Sequence, residues 1–283
     1  MATSTHATRL EAGRRIFARI LVGVSGSQQA LEAARQAALL QDVNGQLTLF
    51  AAWDIPPVLG GTGSEVPYYY DEEVQRTAAE QALTAAREYV EPYTAATTML
   101  VRGAPASALL EEIERDEDTI LAVGAGRVGR LLGAVEGSVT SELIHRAPCS
   151  VLVARPARDG FPRRITVGVD GSVESAAAYA AARYLAERFD ASLRAIVAWG
   201  GKDVNERLVN AITDGEQEER WLPPVEALAT TADDADLVVV GSRGLHGLRS
   251  LGSVSERVAH NAGCSVLVVR LPAWQRVAEE LGR

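Results

Sequence analysis

The chain of 283 residues, 47% hydrophobic and 23% charged, suits two domains of about 140 residues, each large enough to fold without crosslinks. Its net charge of −9 argues against a general affinity for nucleic acid or anionic lipid, which would call for a basic surface. No stretch approaches the roughly 20 apolar residues of a membrane span, and the polar start MATSTHATRLEAGRR lacks a signal peptide's apolar segment, so a cytoplasmic protein is expected.

The first predicted element is the strand ILVGV, followed through VSGS by an alanine-rich helix for which Ser27 is a plausible N-cap. The strand LTLFAAW ends on Trp53. Residues 54–70, DIPPVLGGTGSEVPYYY, are rich in Pro and Gly and read as the most mobile loop, with Tyr68 to Tyr70 packing where the next helix begins. The strands TTMLV and ILAVG follow, separated by a helix with Pro105 in its first turn. A glycine loop from Gly124 to Gly137 then enters a helix through GSVT, and the strand SVLVA closes the set. Five short Val/Ile/Leu runs alternating with helices predict an α/β fold: a doubly wound, Rossmann-like parallel sheet covered on both faces.

After the linker RPARDGFPRR, residues 155–164, nearly the same text returns. Gly168 repeats Gly23 at an offset of 145 and Trp199 repeats Trp53 at 146, but Pro224 repeats Pro105 at only 119. Gly241 repeats Gly124 at 117, and both Gly252 and Cys264 repeat their partners at 115. The second copy has therefore lost 27 residues between its Trp and its Pro, and two more inside its glycine loop. The missing stretch would hold a helix and the edge strand, the piece an open sheet loses most cheaply. Four strands are expected there, with NERLVNAITDGEQEERW as a residual helix. Ser172 is the matching N-cap, Ser253 and Glu256 have capping-box spacing, and residues 272–283 read as a C-terminal helix. Domains are thus expected at 16–155 and 162–271, the second abbreviated.

Cys149 and Cys264 occupy matching places at the start of each last strand and read as small buried hydrophobes. His145 and His260 also match and read as structural. Of 28 basic residues only Lys202 is lysine, and it lies in WGGKDV without a following Ser or Thr, which excludes Walker-type ATPases.

In a doubly wound sheet, ligands bind beyond the carboxyl ends of the strands where the strand order reverses. There VSGS or VDGS, AAWD or VAWG, and the glycine loop with GSVT or GSVS converge. Helix-start amides, hydroxyls and side-chain-free glycines suit phosphate, and no lysine is needed.

At VGVDGS, ADLVVVGSRG, GSVS and CSVLVVR the chain resembles the universal stress protein family in tandem form, over residues 16–155 and 162–270. The resemblance implies binding of an adenine nucleotide, ATP with or without magnesium, through a Gly, two residues, Gly, nine residues, Gly-Ser/Thr motif and an Asp after the first strand. In the second half the implied residues are Val169, Asp170, Gly171, Trp199, Gly241, Gly244, Gly252, Ser253, Val254 and Ser255. In the first they are Val24, Ser25, Gly124, Arg127, Gly137, Ser138, Val139 and Thr140. Both halves depart from the motif: Arg127 replaces the second glycine and Ser25 the Asp, while only seven residues separate Gly244 from Gly252. The second half, with its Asp, is the favoured site. The resemblance also implies pairing of the two halves through their last strands, further assembly as a homodimer, and a role in stress-response regulation. No constellation for fast hydrolysis is present, so turnover is expected to be slow at most, and no catalytic residue is assigned. A nucleotide-free scaffold acting through protein contacts is the alternative. An adenylating synthetase, suggested by VSGSQQA, lacks the second glycine and the aspartate of its loop.

Overall fold

The structure is a computed structural model and describes residues 17–54, 71–115, 119–126, 138–157, 160–200, 204–231, 234–242 and 254–271. The first half runs β1 (Arg19–Gly23), α1 (Gln28–Leu40), β2 (Gln46–Trp53), α2 (Glu72–Val90), β3 (Thr97–Arg102), α3 (Pro105–Ile113), β4 (Ile120–Gly124), α4 (Ser138–Arg146) and β5 (Val151–Ala154). The second runs β6 (Arg164–Gly168), α5 (Val173–Phe189), β7 (Ser192–Ala198), α6 (Glu206–Thr213), β8 (Glu218–Arg220), α7 (Pro224–Thr231), β9 (Leu237–Ser242), α8 (Val254–Asn261) and β10 (Ser265–Arg270).

Among the described residues, ten strands form one sheet in the order β3-β2-β1-β4-β5-β10-β9-β6-β7-β8. Every neighbouring pair is parallel except β5 and β10, which meet antiparallel with Leu152 opposite Leu267. Strand side chains alternate between the faces. In β1, Ile20 and Val22 enter one core and Leu21 the other; in β10, Leu267 and Val269 enter the first, Val266 and Val268 the second. The first core lies under α1, α2, α5 and Val209 of α6; the second lies under α3, α4, α7 and α8. Both cores cross the seam, so the halves share their apolar layers.

The helix starts form as their sequences predict. Ser27 Oγ accepts from the Ala30 N–H at 3.2 Å, and Ser172 Oγ from the Ser175 N–H at 3.1 Å, which satisfies amides otherwise unpaired at a helix start. Pro105 and Pro224 open α3 and α7. Ala33, Ala34 and Ala37 are fully buried in α1, their small side chains letting the helix lie close to β4 and β5.

The second half differs from expectation at its edge. The segment read as one residual helix divides, because Asp214 and Gly215 adopt left-handed conformations, φ 56° and 82°, that end α6. Glu218–Arg220 then pairs with β7 as a fifth strand, β8. The loss of 27 residues shortened the edge strand instead of removing it.

The stretch between the halves is also tied down. Phe161 is buried, and Asp236 Oδ2 accepts from the backbone N–H groups of Arg163 and Arg164. At the seam, Arg155 donates to the carbonyls of Cys264 at 3.1 Å, Ala259 at 2.5 Å and His260 at 3.3 Å. Its repeat partner Arg270 donates to the carbonyl of Ile144, the residue that matches Ala259. Ser265 and Ser150 Oγ accept from the Arg155 and Arg270 N–H groups, each at 3.0 Å. Each half thus ends in an arginine that caps the last helix of the other, where carbonyls lack intrahelical partners. His145 Nδ1 lies 3.8 Å from Glu256 Oε2 across the same seam. Both cysteines are buried and not joined in a disulfide, and burial pushes the Cys264 thiol up to about 11. Most of loop 54–70, with the three tyrosines, and the expected C-terminal helix lie outside the described residues.

Candidate functional site

The strand order reverses at two places. From β1 the chain goes outward to β2 and later returns on the other side at β4; from β6 it goes to β7 and returns at β9. A crevice therefore opens at the carboxyl ends of β1 and β4, and another at those of β6 and β9, the location at which such sheets bind ligands.

The loops after β1 and β6 are built alike. The N–H of Val24 reaches the Phe50 carbonyl at 2.8 Å, and that of Val169 reaches Ile196 at 2.9 Å. Gly26 and Gly171 then turn with φ 70° and 86°, where a side chain is strained. Gly124 and Gly241 also serve the packing of a helix start. A Cβ on Gly124 would lie 2.6 Å from the main chain of Gln29, and one on Gly241 would lie 2.4 Å from the Glu174 carbonyl. These glycines let the first turns of α1 and α5 press against the ends of β4 and β9, which brings the two loops of each site together.

Side chains at the two sites differ. Ser25 is exposed, and its hydroxyl is 3.2 Å from that of Ser27. Asp170 is half-buried: its Oδ1 accepts from the Ser172 N–H at 2.9 Å, and its carbonyl accepts from the Asn205 N–H at 2.9 Å. The carboxylate is thereby oriented at the mouth of the crevice. In the second half, however, α6 packs hard on the loop. A Cβ on Gly171 would lie 2.7 Å from the Asn205 carbonyl, whereas one on Gly26 would meet only Ala82 Cβ, at 3.6 Å. Thr140 Oγ1 donates to the Gly124 carbonyl at 3.1 Å, fastening the first turn of α4 to the end of β4. Val139 packs on the second core, Ser255 is buried, and Val254 is exposed. Ser138 begins α4. Arg127, Gly137, Gly244, Gly252 and Ser253 lie outside the described residues.

Beyond the predicted set, the outer lips of the crevices carry an unforeseen pair. Arg102 lies over the Trp53 ring, 5.2 Å from its centroid, and pairs with Glu72 at 3.2 Å. In the second half Trp221 stacks on Trp199 with ring centroids 6.0 Å apart. Trp221 follows Arg102 at the same offset of 119 that relates Pro224 to Pro105, so the correspondence was present in the sequence. Trp199 Nε1 is buried with no hydrogen-bond partner among the described residues. Among those residues, no three His, Cys, Asp or Glu side chains gather as metal ligands. No helix there is long and apolar enough to cross a membrane.

Comparison with known proteins agrees with this architecture. The chain is 32% identical over 197 residues to universal stress protein Rv2623 of Mycobacterium tuberculosis, a match spanning 59% of this chain and 66% of that protein. It is 27% identical over 294 aligned positions to universal stress protein Rv2005c of the same organism, spanning 89% of this chain and 96% of that one. The crystal structure of a universal stress protein from Archaeoglobus fulgidus superposes with a TM-score of 0.68 at 18% identity, covering 91% of this chain and 99% of that chain, which extends the likeness of fold. The sequence profile of the universal stress protein family matches residues 17–155 and 201–270, and with strands, turns and glycines placed as described, the chain belongs to that family.

Proposed function

We propose that the protein binds an adenine nucleotide, ATP with or without magnesium, in the crevice at the carboxyl ends of β6 and β9, with the crevice of β1 and β4 as a second site. Its domains are residues 16–155 and 162–271. The observation that carries the reading is Asp170, a carboxylate held by the Ser172 N–H at 2.9 Å beside a strand end kept free of side chains at Gly241. A carboxylate so oriented accepts from ribose hydroxyls or a base amino group, and the helix starts at Ser138 and Val254 offer amides and positive dipole ends to phosphates. The residues present fit a nucleotide on that chemistry.

Nucleotide binding then serves as the signal of a cytoplasmic stress-response regulator that assembles as a homodimer. Turnover is slow at most, since the sequence carries no constellation for fast hydrolysis. The test is native mass spectrometry with and without ATP and magnesium, repeated on Asp170→Asn. Loss of a carboxylate hydrogen bond of about 1.5–3 kcal/mol weakens binding by roughly ten- to a hundredfold. An unchanged affinity in the variant refutes the assignment of Asp170. The contact of Asn205 with Gly171 favours a second reading, a nucleotide-free scaffold, which predicts no ligand on either half at millimolar ATP.

A further inference from the structure

We infer that the exposed face of Trp221 is the surface on which the second half stacks the base of its nucleotide, an inference that rests on the nucleotide reading above. The placement follows from strand pairing. The Trp199 N–H donates to the Arg220 carbonyl at 2.8 Å and the Gly200 N–H to that of Leu222 at 3.2 Å, so β7 and β8 remain paired past their ends. Both indoles stand at the carboxyl edge, the edge at which Asp170 leaves β6. With neighbouring strands about 4.8 Å apart, Trp221 lies two strands, roughly 10 Å, from the strand of Asp170.

Three observations favour a ligand at this indole. Trp221 is 78% exposed while the other large aromatics among the described residues reach at most 48%, and leaving so large an apolar ring in water is unfavourable. Trp199 holds the ring from one side, at 6.0 Å and 26° between planes, so the opposite face is presented ready-formed and little freedom is lost on stacking. Trp199 Nε1, buried without an acceptor among the described residues, is the kind of orphan donor that folded proteins keep only for a reason. In the first half the equivalent residue, Arg102, is instead engaged with both Trp53 and Glu72. The connection from Trp199 to α6 is also short, residues 200–205, against 54–71 between Trp53 and α2.

A base stacked on an aromatic side chain contributes enough that its removal weakens binding roughly ten- to a hundredfold. The experiment compares full-length wild type, Trp221→Ala and Trp221→Phe, each confirmed folded by its melting curve. Three probes are used: ATP, adenosine, and inorganic tripolyphosphate, which keeps the phosphates and lacks the base. Tryptophan fluorescence and native mass spectrometry are the readouts. The expected result is quenching by ATP and adenosine in wild type, retention in Trp221→Phe, and loss of one ATP per chain in Trp221→Ala with tripolyphosphate binding unchanged. Equal ATP affinity in wild type and Trp221→Ala overturns the inference and leaves the nucleotide reading standing. Failure of wild type to bind any of the probes overturns both.

Discussion

Replacing Arg155 by Ala tests whether the two halves are held by reciprocal helix capping or by strand pairing alone. The guanidinium meets three main-chain acceptors: Ala259 at 2.5 Å and His260 at 3.3 Å in the last turn of α8, and Cys264 at 3.1 Å just before β10. Hydrogen bonds from a charged donor contribute about 1.5–3 kcal/mol each. Burial offsets part of that gain, as the lowering of the guanidinium pKa by desolvation indicates. With two well-made bonds and this offset, the net loss is about 3 kcal/mol. At about 2–4 °C per kcal/mol for a chain of this size, the melting temperature falls by roughly 6–12 °C. Arg155→Lys, whose single ammonium cannot span the fork of acceptors, falls in between. The assay is differential scanning calorimetry, which also reports whether the halves still melt together. A shift of less than about 2 °C in Arg155→Ala would refute the capping argument, because solvent would then be satisfying the freed carbonyls.

Gly241→Ala places a Cβ 2.4 Å from the Glu174 carbonyl; overpacking of about 1–3 kcal/mol is expected in chemical denaturation, and wild-type stability would mean that α5 moves aside freely. Asp236 is pushed up by burial, but donors from Arg164 and the Arg163 backbone prevail and hold its carboxyl below the usual range. Its stabilisation is therefore fully present above the unfolded value near 3.9 and lost as pH falls through the lower folded value. The denaturation midpoints of wild type and Asp236→Asn should accordingly differ at about pH 6 and converge towards about pH 2; a gap that widens on acidification contradicts the sign. With Cys149 and Cys264 buried and the Cys264 thiol pushed up to about 11, thiol reagents at pH 8 should label neither cysteine until denaturant is added. Rapid labelling of the native chain would show that the helix ends at the seam open readily.

Much of the fold is legible in the sequence because it is encoded locally and written twice. Ser27 and Ser172 act as N-caps through hydrogen bonds only three residues long, and the strands ILVGV and SVLVV carry their burial in composition. What escaped reading depends on distant partners. Glu218–Arg220 has no apolar alternation and becomes a strand only because β7 offers its edge. Arg155 and Arg270 match in the repeat, but the carbonyls they cap belong to the opposite half. At the candidate sites, Asp170 follows β6, and Gly26 and Gly171 adopt positive φ in the turns. Gly124 and Gly241 are required by the approach of a helix start, a constraint that looks the same in sequence as room for phosphate. The role of Trp221 depends on its neighbour Trp199, and the offset of 119 shows the correspondence only once the strands are known to lie side by side.

The lone antiparallel joint between β5 and β10 has a geometric consequence for any partner. Because strand direction inverts there, the carboxyl ends of β1–β5 and those of β6–β10 emerge along opposite margins of the same sheet. The two candidate crevices thus lie on opposite margins of the sheet. The duplication has produced two strand-end margins that face away from each other, joined through a shared apolar interior.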